Sequence, residues 1–422
     1  MNSRRPVIAM LVLGAVVVAV LTFVPYTLTM VRQAGARMAD VAVAQLAPTP
    51  DPTFEAEINQ PAEPEFDVAT WYAARSEEPE RHGVLIQSFD GRHTYAAHNA
   101  DAAFNPASLV KLATTLVALK RLGKDYRFET RVLFDGQVDQ KKVLHGDLYL
   151  DGADPSFGDA SAVAVARALK AHGIEHVQGK VLVTQSFSFN LSERAEDSAK
   201  YAAQVMQLKE TETGVAEQPQ GQRLFILRSQ PLQHILLYMN AHSVNFIAHR
   251  LGDLLGGPGG VAETIRTELR LAPDQIQFES TSGLYNNRMS PRGLVAVIHA
   301  LTEEAERQGL QPDDILPVAS CDVGTLRRRM EGTGFEGAVV GKTGTLTEQD
   351  GGMSNLGGLV YTKDDSPILF VILAQGQRIW DNKQMADQLL AEVLRTHQAA
   401  CVMQPDAPHR QLLAPTDLQI SE

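Results

Sequence analysis

Ser108 and Lys111 stand three residues apart in Ser108-Leu109-Val110-Lys111, at the head of the apolar run Leu109 to Leu122. Asn105-Pro106 before the run and Gly123 after it are start and stop signals for a helix. Residues three apart on a helix share a face, so a hydroxyl and an amine come within reach of each other. That pairing is a nucleophile beside a base. Serine attacks an acyl carbon only when its proton is removed, and lysine removes it only when burial or a nearby cation frees the neutral amine. The chain has twelve lysines, and only Lys111 has a serine three residues before it. The plain alternative, a capping-turn serine beside a surface lysine, fits the apolar surroundings poorly.

Two further groupings carry chemistry. Lys342-Thr343-Gly344-Thr345 follows the apolar Ala338-Val339-Val340-Gly341, which places it on a strand. A cation, hydroxyls and bare backbone at Gly341 and Gly344 suit a carboxylate-ended peptide laid alongside as an extra strand. An edge strand guarded by Lys and Thr against aggregation is the alternative. Ser243 and Asn245 sit on or beside an apolar stretch, Leu232 to Leu255, that reads as helix. Two residues apart is an unhelpful spacing on a regular helix but a natural one in a loop joining two helices.

Ser-x-x-Lys, Ser-x-Asn and Lys-Thr-Gly, in that order, resemble the three-part signature of penicillin-recognising serine enzymes. The phrases Phe104-Asn105-Pro106-Ala107-Ser108, Leu122 to Phe128, Gly146 to Leu150 with Ala153-Asp154-Pro155, Met239-Asn240 before Ser243, Ser282-Gly283-Leu284, and Leu316 to Ala319 with Gly324-Thr325-Leu326 narrow the likeness. They are similar to the D-alanyl-D-alanine carboxypeptidase/endopeptidase family, the class-C low-molecular-mass penicillin-binding proteins, over about Gly83 to Leu394. The resemblance implies an α+β fold: a five-stranded antiparallel sheet flanked by helices, a helical subdomain, and an insertion after the nucleophile helix. It also implies roles. Ser108 would be the nucleophile, Lys111 the base and Ser243 a proton donor to the leaving amine. Asn245, Lys342, Thr343, Gly344 and Thr345 would bind substrate, with the backbone N–H groups of Ser108 and Thr345 as the oxyanion hole. The substrate would be the peptidoglycan stem peptide, β-lactams would inhibit, and no metal or other cofactor is called for. Val244 stands where the family often has Asp. The 135-residue span from Ser108 to Ser243 suggests a shortened insertion. Tyr238-Met239-Asn240 and Tyr285-Asn286-Asn287 also match the second element as some β-lactamases carry it, but Met239-Asn240 placed just before Ser243 favours the serine. A β-lactamase is the nearest rival; the class A Glu-x-x-Leu-Asn phrase is missing, because the chain has no Leu-Asn dipeptide. A non-catalytic scaffold or sensor of the same fold is the other.

These residues need a scaffold, and the chain is long enough to supply one. Its 422 residues are 44% hydrophobic and 21% charged, with a formal charge of −12, so a globular core is expected. Acidic balance without a basic stripe argues against nucleic acid. Two cysteines, Cys321 and Cys401, build neither a disulfide scaffold nor a zinc site, and two reduced thiols are expected. Val7 to Val31 is uncharged and long enough to cross a bilayer, after Arg4 and Arg5. Residues 1–34 therefore read as a membrane anchor or signal, with the length favouring an anchor and the catalytic part on the periplasmic side, where the implied substrate lies. Residues 35–66 read as a Pro-rich tether. The catalytic domain is expected over 67–125 and 229–397, an inserted region over 126–228, and a disordered tail over 398–422. Within the folded part, Gly83 to Ser88 and Thr94 to Ala97 form a hairpin, Gly256 to Gly260 breaks the chain, and Leu356 to Tyr361 and Ile368 to Ala374 are neighbouring strands before a closing helix, Lys383 to His397.

Overall fold

The computed structural model describes residues 64–422 apart from 209, 365–366, 406–409, 411–412 and 414–416. The stretch Val7 to Val31 and the tether lie outside the described residues. Among those described, no helix is long and apolar enough to cross a membrane.

From its start the chain runs α1 (Val68–Ala73), β1 (His82–Ser88), β2 (Thr94–His98) and α2 (Val110–Leu122). Then come β3 (Glu129–Phe134), β4 (Gln137–Val138), β5 (Val143–His145), β6 (Leu148–Gly152), α3 (Asp159–Ala171), β7 (His176–Val177) and β8 (Lys180–Thr184). Next are α4 (Ala195–Val205), β9 (Glu212–Ala216), β10 (Gln222–Arg228), α5 (Leu232–His242), α6 (Asn245–Leu254) and α7 (Gly257–Glu268). The rest is β11 (Ile276–Gln277), β12 (Arg288–Met289), α8 (Pro291–Arg307), β13 (Val339–Leu346), β14 (Met353–Val360), β15 (Ile368–Gln375), α9 (Ile379–Val393) and β16 (Gln419–Ser421).

Five strands make one antiparallel sheet in the order β13-β14-β15-β1-β2. Strand β14 is buried at every residue and β15 at all but its last, because helices cover both faces. On one face α2 packs with α5, α6, α7 and α8 around Leu112, Leu116, Leu236, Ile247 and Ile298. On the other, α1 and α9 close over Val84, Ile86, Phe370 and Ile372. Helix α2 has ten of its thirteen residues buried, as its unbroken apolar pattern requires. This is the mixed α/β architecture the sequence implied. The hairpin, the neighbouring strands and the closing helix also form, the last four residues earlier than expected, at Ile379.

Residues 129–228 supply most of a second sheet, ordered β16-β10-β3-β6-β8-β9, with α3 and α4 packed over Val132, Leu150, Val181 and Phe225. Three expectations need correction. The apolar stretch Leu232 to Leu255 is two helices, broken where Ser243 takes a left-handed conformation, φ 55°. The segment from Gly257 starts α7 instead of breaking the chain; the break is confined to Gly256 and Gly257, at φ 90° and 71°. The tail from Gln398 is ordered over its described residues. Ala400 and Val402 donate to Tyr361 and Gly337, and β16 pairs antiparallel with β10. The described tail residues that bond do so to partners scattered through the fold, which composition does not reveal.

Candidate active site

The turn before α2 sets the nucleophile. Ala107 is fully buried at φ 48°, a strained left-handed position for a residue with a Cβ, and its N–H donates to Asn105 Oδ1 at 3.0 Å. Ser108 follows, and the first turn of α2 brings Lys111 Nζ to 3.0 Å from Ser108 Oγ. The same Nζ lies 2.8 Å from Asn245 Oδ1 and 2.6 Å from the carbonyl of Ser282. Lys111 is wholly buried.

The break between α5 and α6 explains how a serine and an asparagine two residues apart serve one site. Ser243 caps α5 in the left-handed region and Asn245 begins α6, so the two side chains leave different helices. Lys342 Nζ reaches Ser243 Oγ at 2.9 Å and the carbonyl of Thr343 at 2.7 Å. Lys342 is also wholly buried, on β13 at the edge of its sheet, with Thr343, Gly344 and Thr345 after it. Gly344 has a physical reason: a Cβ there would come within 2.7 Å of the Pro106 carbonyl, so the strand could not close on the nucleophile turn. Gly283, at φ 89°, is tighter still, since its Cβ would meet the Ala107 carbonyl at 1.9 Å.

The structure thus brings together all eight residues singled out from the sequence, as two serine–lysine pairs on three elements. Neither lysine has a carboxylate partner among the described residues. Burial first, and then the charge of Lys342, hold the Lys111 amine well below its ordinary range. Burial lowers Lys342 to about 7. As a neutral amine, Lys111 has two N–H groups for Asn245 and Ser282, and its lone pair then accepts from the Ser108 hydroxyl. His249, one turn along α6 from Asn245, is lowered chiefly by burial. No cluster of metal-ligating side chains occurs among the described residues. Cys321 and Cys401 are not joined by a disulfide.

Sequence spacing did not single out Asn105 or Ser282 as parts of the site. Ser282-Gly283-Leu284 entered only as a family phrase, yet its backbone holds Lys111. No side-chain pattern marks a carbonyl that acts through its position.

Residues 68–199 and 184–396 match the D-Ala-D-Ala carboxypeptidase 3 (S13) family. The chain belongs to this family. Membership makes it a serine peptidase of the D-Ala-D-Ala carboxypeptidase kind, and its fold has solved counterparts. Bd3459, a predatory peptidoglycan endopeptidase of Bdellovibrio bacteriovorus, superposes with a TM-score of 0.64 at 20% identity, over 80% of this chain and 98% of its own. A penicillin G-acylated form of Bd3459, in complex with the immunity protein Bd3460, gives 0.66 at 19%, over 78% and 96%. Penicillin-binding protein 4 of Haemophilus influenzae gives 0.57 at 16%, over 73% and 96%. At these identities the superpositions show a shared fold.

Proposed function

We propose that this S13 peptidase cleaves the D-alanyl bond of peptidoglycan stem peptides through an acyl-enzyme on Ser108. The observation that carries the assignment is the Lys111 amine, buried without a carboxylate partner among the described residues and 3.0 Å from Ser108 Oγ. Ser108 Oγ attacks the carbonyl carbon of the penultimate D-alanine while its proton passes to Lys111 Nζ. Negative charge gathers on the carbonyl oxygen, where the N–H groups of Ser108 and Thr345 stabilise it. The C–N bond then breaks, and the leaving amine takes a proton from the Ser243 hydroxyl, which Lys342 re-supplies. Lys111 releases its acquired proton and Lys342 regains one from solvent, after which Lys111 takes a proton from the attacking water and returns it to Ser108 Oγ as the ester C–O bond breaks. Lys342 and Thr343 hold the terminal carboxylate, and Asn245 holds the substrate peptide group and orients Lys111.

A β-lactam presents the same carbonyl and carboxylate to these residues, and penicillin G acylates the Bd3459 relative. Penicillin should therefore add its mass to this protein once, on Ser108. No adduct, or one mapped by peptide digestion elsewhere, refutes the site. Incubation of the purified protein with free pentapeptide and with cross-linked muropeptide, products identified by mass, separates carboxypeptidase from endopeptidase action. A shortened insertion would leave the cleft open to a cross-linked peptide, so release of monomer is expected beside loss of the last D-alanine. Neither product from either substrate would favour a non-catalytic scaffold. The substrate lies outside the cytoplasmic membrane, and the 25 uncharged residues Val7 to Val31 suit a single anchor that holds the catalytic part there.

A further inference from the structure

The oxyanion pocket in this reading has donors on two separate pieces of chain, Ser108 on the turn before α2 and Thr345 on β13. Some contact must fix their separation. The backbone surfaces meet at Gly344, which lies against the Pro106 carbonyl and the Ala107 Cβ. Around that point Asn105 bonds in four directions. Its Oδ1 accepts from Ala107 N, and its carbonyl accepts from Asn355 Nδ2 at 3.0 Å, on the residue of β14 paired with Gly344. Its Nδ2 lies 2.9 Å from the carbonyl of Tyr285 and 2.7 Å from Asp350 Oδ2.

Asp350 belongs to none of the three motifs. It sits in the turn between β13 and β14 at φ 55°, with its side chain one-fifth exposed. Besides Asn105 it receives the Arg288 guanidinium through both oxygens, at 2.8 and 3.1 Å, and its carbonyl accepts from Gln375 Nε2 at 2.7 Å. Arg288 in turn donates to the carbonyl of Asn287. One carboxylate thus ties the turn that ends β13 to the nucleophile turn and to the loop 284–288, the continuation of the segment that holds Lys111. A charge-assisted two-point contact with Arg is rigid as well as strong.

We propose that Asp350, through Asn105 and Arg288, is a positioning residue that holds the strained Ala107 turn against β13 and so sets the geometry of the two oxyanion donors. The proposal rests on the assignment of Ser108 and Thr345 to the oxyanion hole. Such a clamp matters most when charge has developed on the substrate oxygen and little before that. Its loss should slow the chemical step and spare ground-state binding.

The test is penicillin acylation followed over a range of concentrations, giving a limiting rate and a half-saturation concentration, for the wild type, Asp350→Ala, Asp350→Asn and Asn105→Ala. Deleting one oxyanion donor outright costs on the order of 10²–10³ in rate, and small misplacements are also severe. Asp350→Ala should therefore lower the limiting rate about tenfold or more while the half-saturation concentration moves less than about threefold. Asp350→Asn, which keeps an oxygen for Asn105 but loses the charge facing Arg288, should fall between. Asp350→Ala combined with Asn105→Ala should be little slower than the worse single variant, because both remove one device. A limiting rate for folded Asp350→Ala within about twofold of wild type overturns the proposal. So does a loss confined to half-saturation. If Asp350→Ala does not fold, Asp350→Asn decides by the same two criteria. Wild-type protein that forms no adduct on Ser108 refutes the catalytic assignment instead, whatever Asp350 does.

Discussion

Lys111 acts as a base only if it is neutral when Ser108 attacks. A lysine in water, near pKa 10.4, would be almost wholly protonated at neutral pH. Two features free the amine here: complete burial, and Lys342 as its neighbouring cation. Arginine keeps its proton in any such setting. Lys111→Arg should therefore abolish penicillin acylation about as thoroughly as Lys111→Ala, with the fold retained by circular dichroism. Near-native acylation by Lys111→Arg would reduce Lys111 to a positive charge and move the base elsewhere. At this scale the sequence was most informative. Ser108 and Lys111 share one face of a helix, and Lys342 to Thr345 are consecutive on one edge strand, so spacing alone keeps each set together. Asn105 and Asp350 could not be found that way, because their separation of 245 positions along the chain is bridged only by tertiary folding.

At the level of elements, apolar runs marked β13, β14, β15 and α2 well, since each carries a cluster of apolar residues. They failed at Ser243. Leu232 to Leu255 is rich in apolar residues on both sides of the break, and a single left-handed residue turns one helix into two without altering that pattern. The junction of α1 and β1 carries a prediction of its own. His82 begins β1 at 1% exposure, stacked on Tyr72 with ring centroids 3.6 Å apart, and neither ring nitrogen has a hydrogen-bond partner among the described residues. Burial, then the charges of His98 and Arg81, lower its pKa from 6.5 to about 4, and Glu77 stands 3.9 Å away. The unfolded chain takes up this proton near pH 6.5, whereas the folded protein resists until about 4. Stability is therefore lost as pH falls through that window, by about 3 kcal/mol at its end. His82→Phe keeps a stacking ring and cannot titrate. Between pH 7 and 4.5, urea unfolding should show the wild type losing about 2 kcal/mol more than the variant. Equal losses would mean that His82 is already charged in the folded state.

Across the whole molecule the C-terminal segment departs furthest from what composition suggests. Prolines and polar residues without a period describe a tail equally well when it is free and when it is pinned at points far apart in space. In this fold the points are Gln398 and Ala400 beside residues 361–363, Val402 and Met403 on Gly337, Arg410 on Asp322, the Asp417 carbonyl on Arg127, and β16 on the second sheet. A segment that bonds at both sheets ties residues 129–228 to the remainder of the fold. Arg410 is its strongest fastening. Asp322 is completely buried, and its carboxylate accepts from Val318 N at 2.8 Å and from the Arg410 guanidinium at both oxygens. Removing the arginine leaves a buried carboxylate with one N–H for company, an omission that costs about 3 kcal/mol. Arg410→Ala should lower unfolding stability by about that amount and expose the segment after Met403 to limited proteolysis. Asp322→Asn in the same chain should restore much of the stability, because the uncompensated charge is gone, yet it should not restore protease resistance, because the fastening is still missing. Wild-type stability and resistance in Arg410→Ala would show that β16 holds the segment unaided.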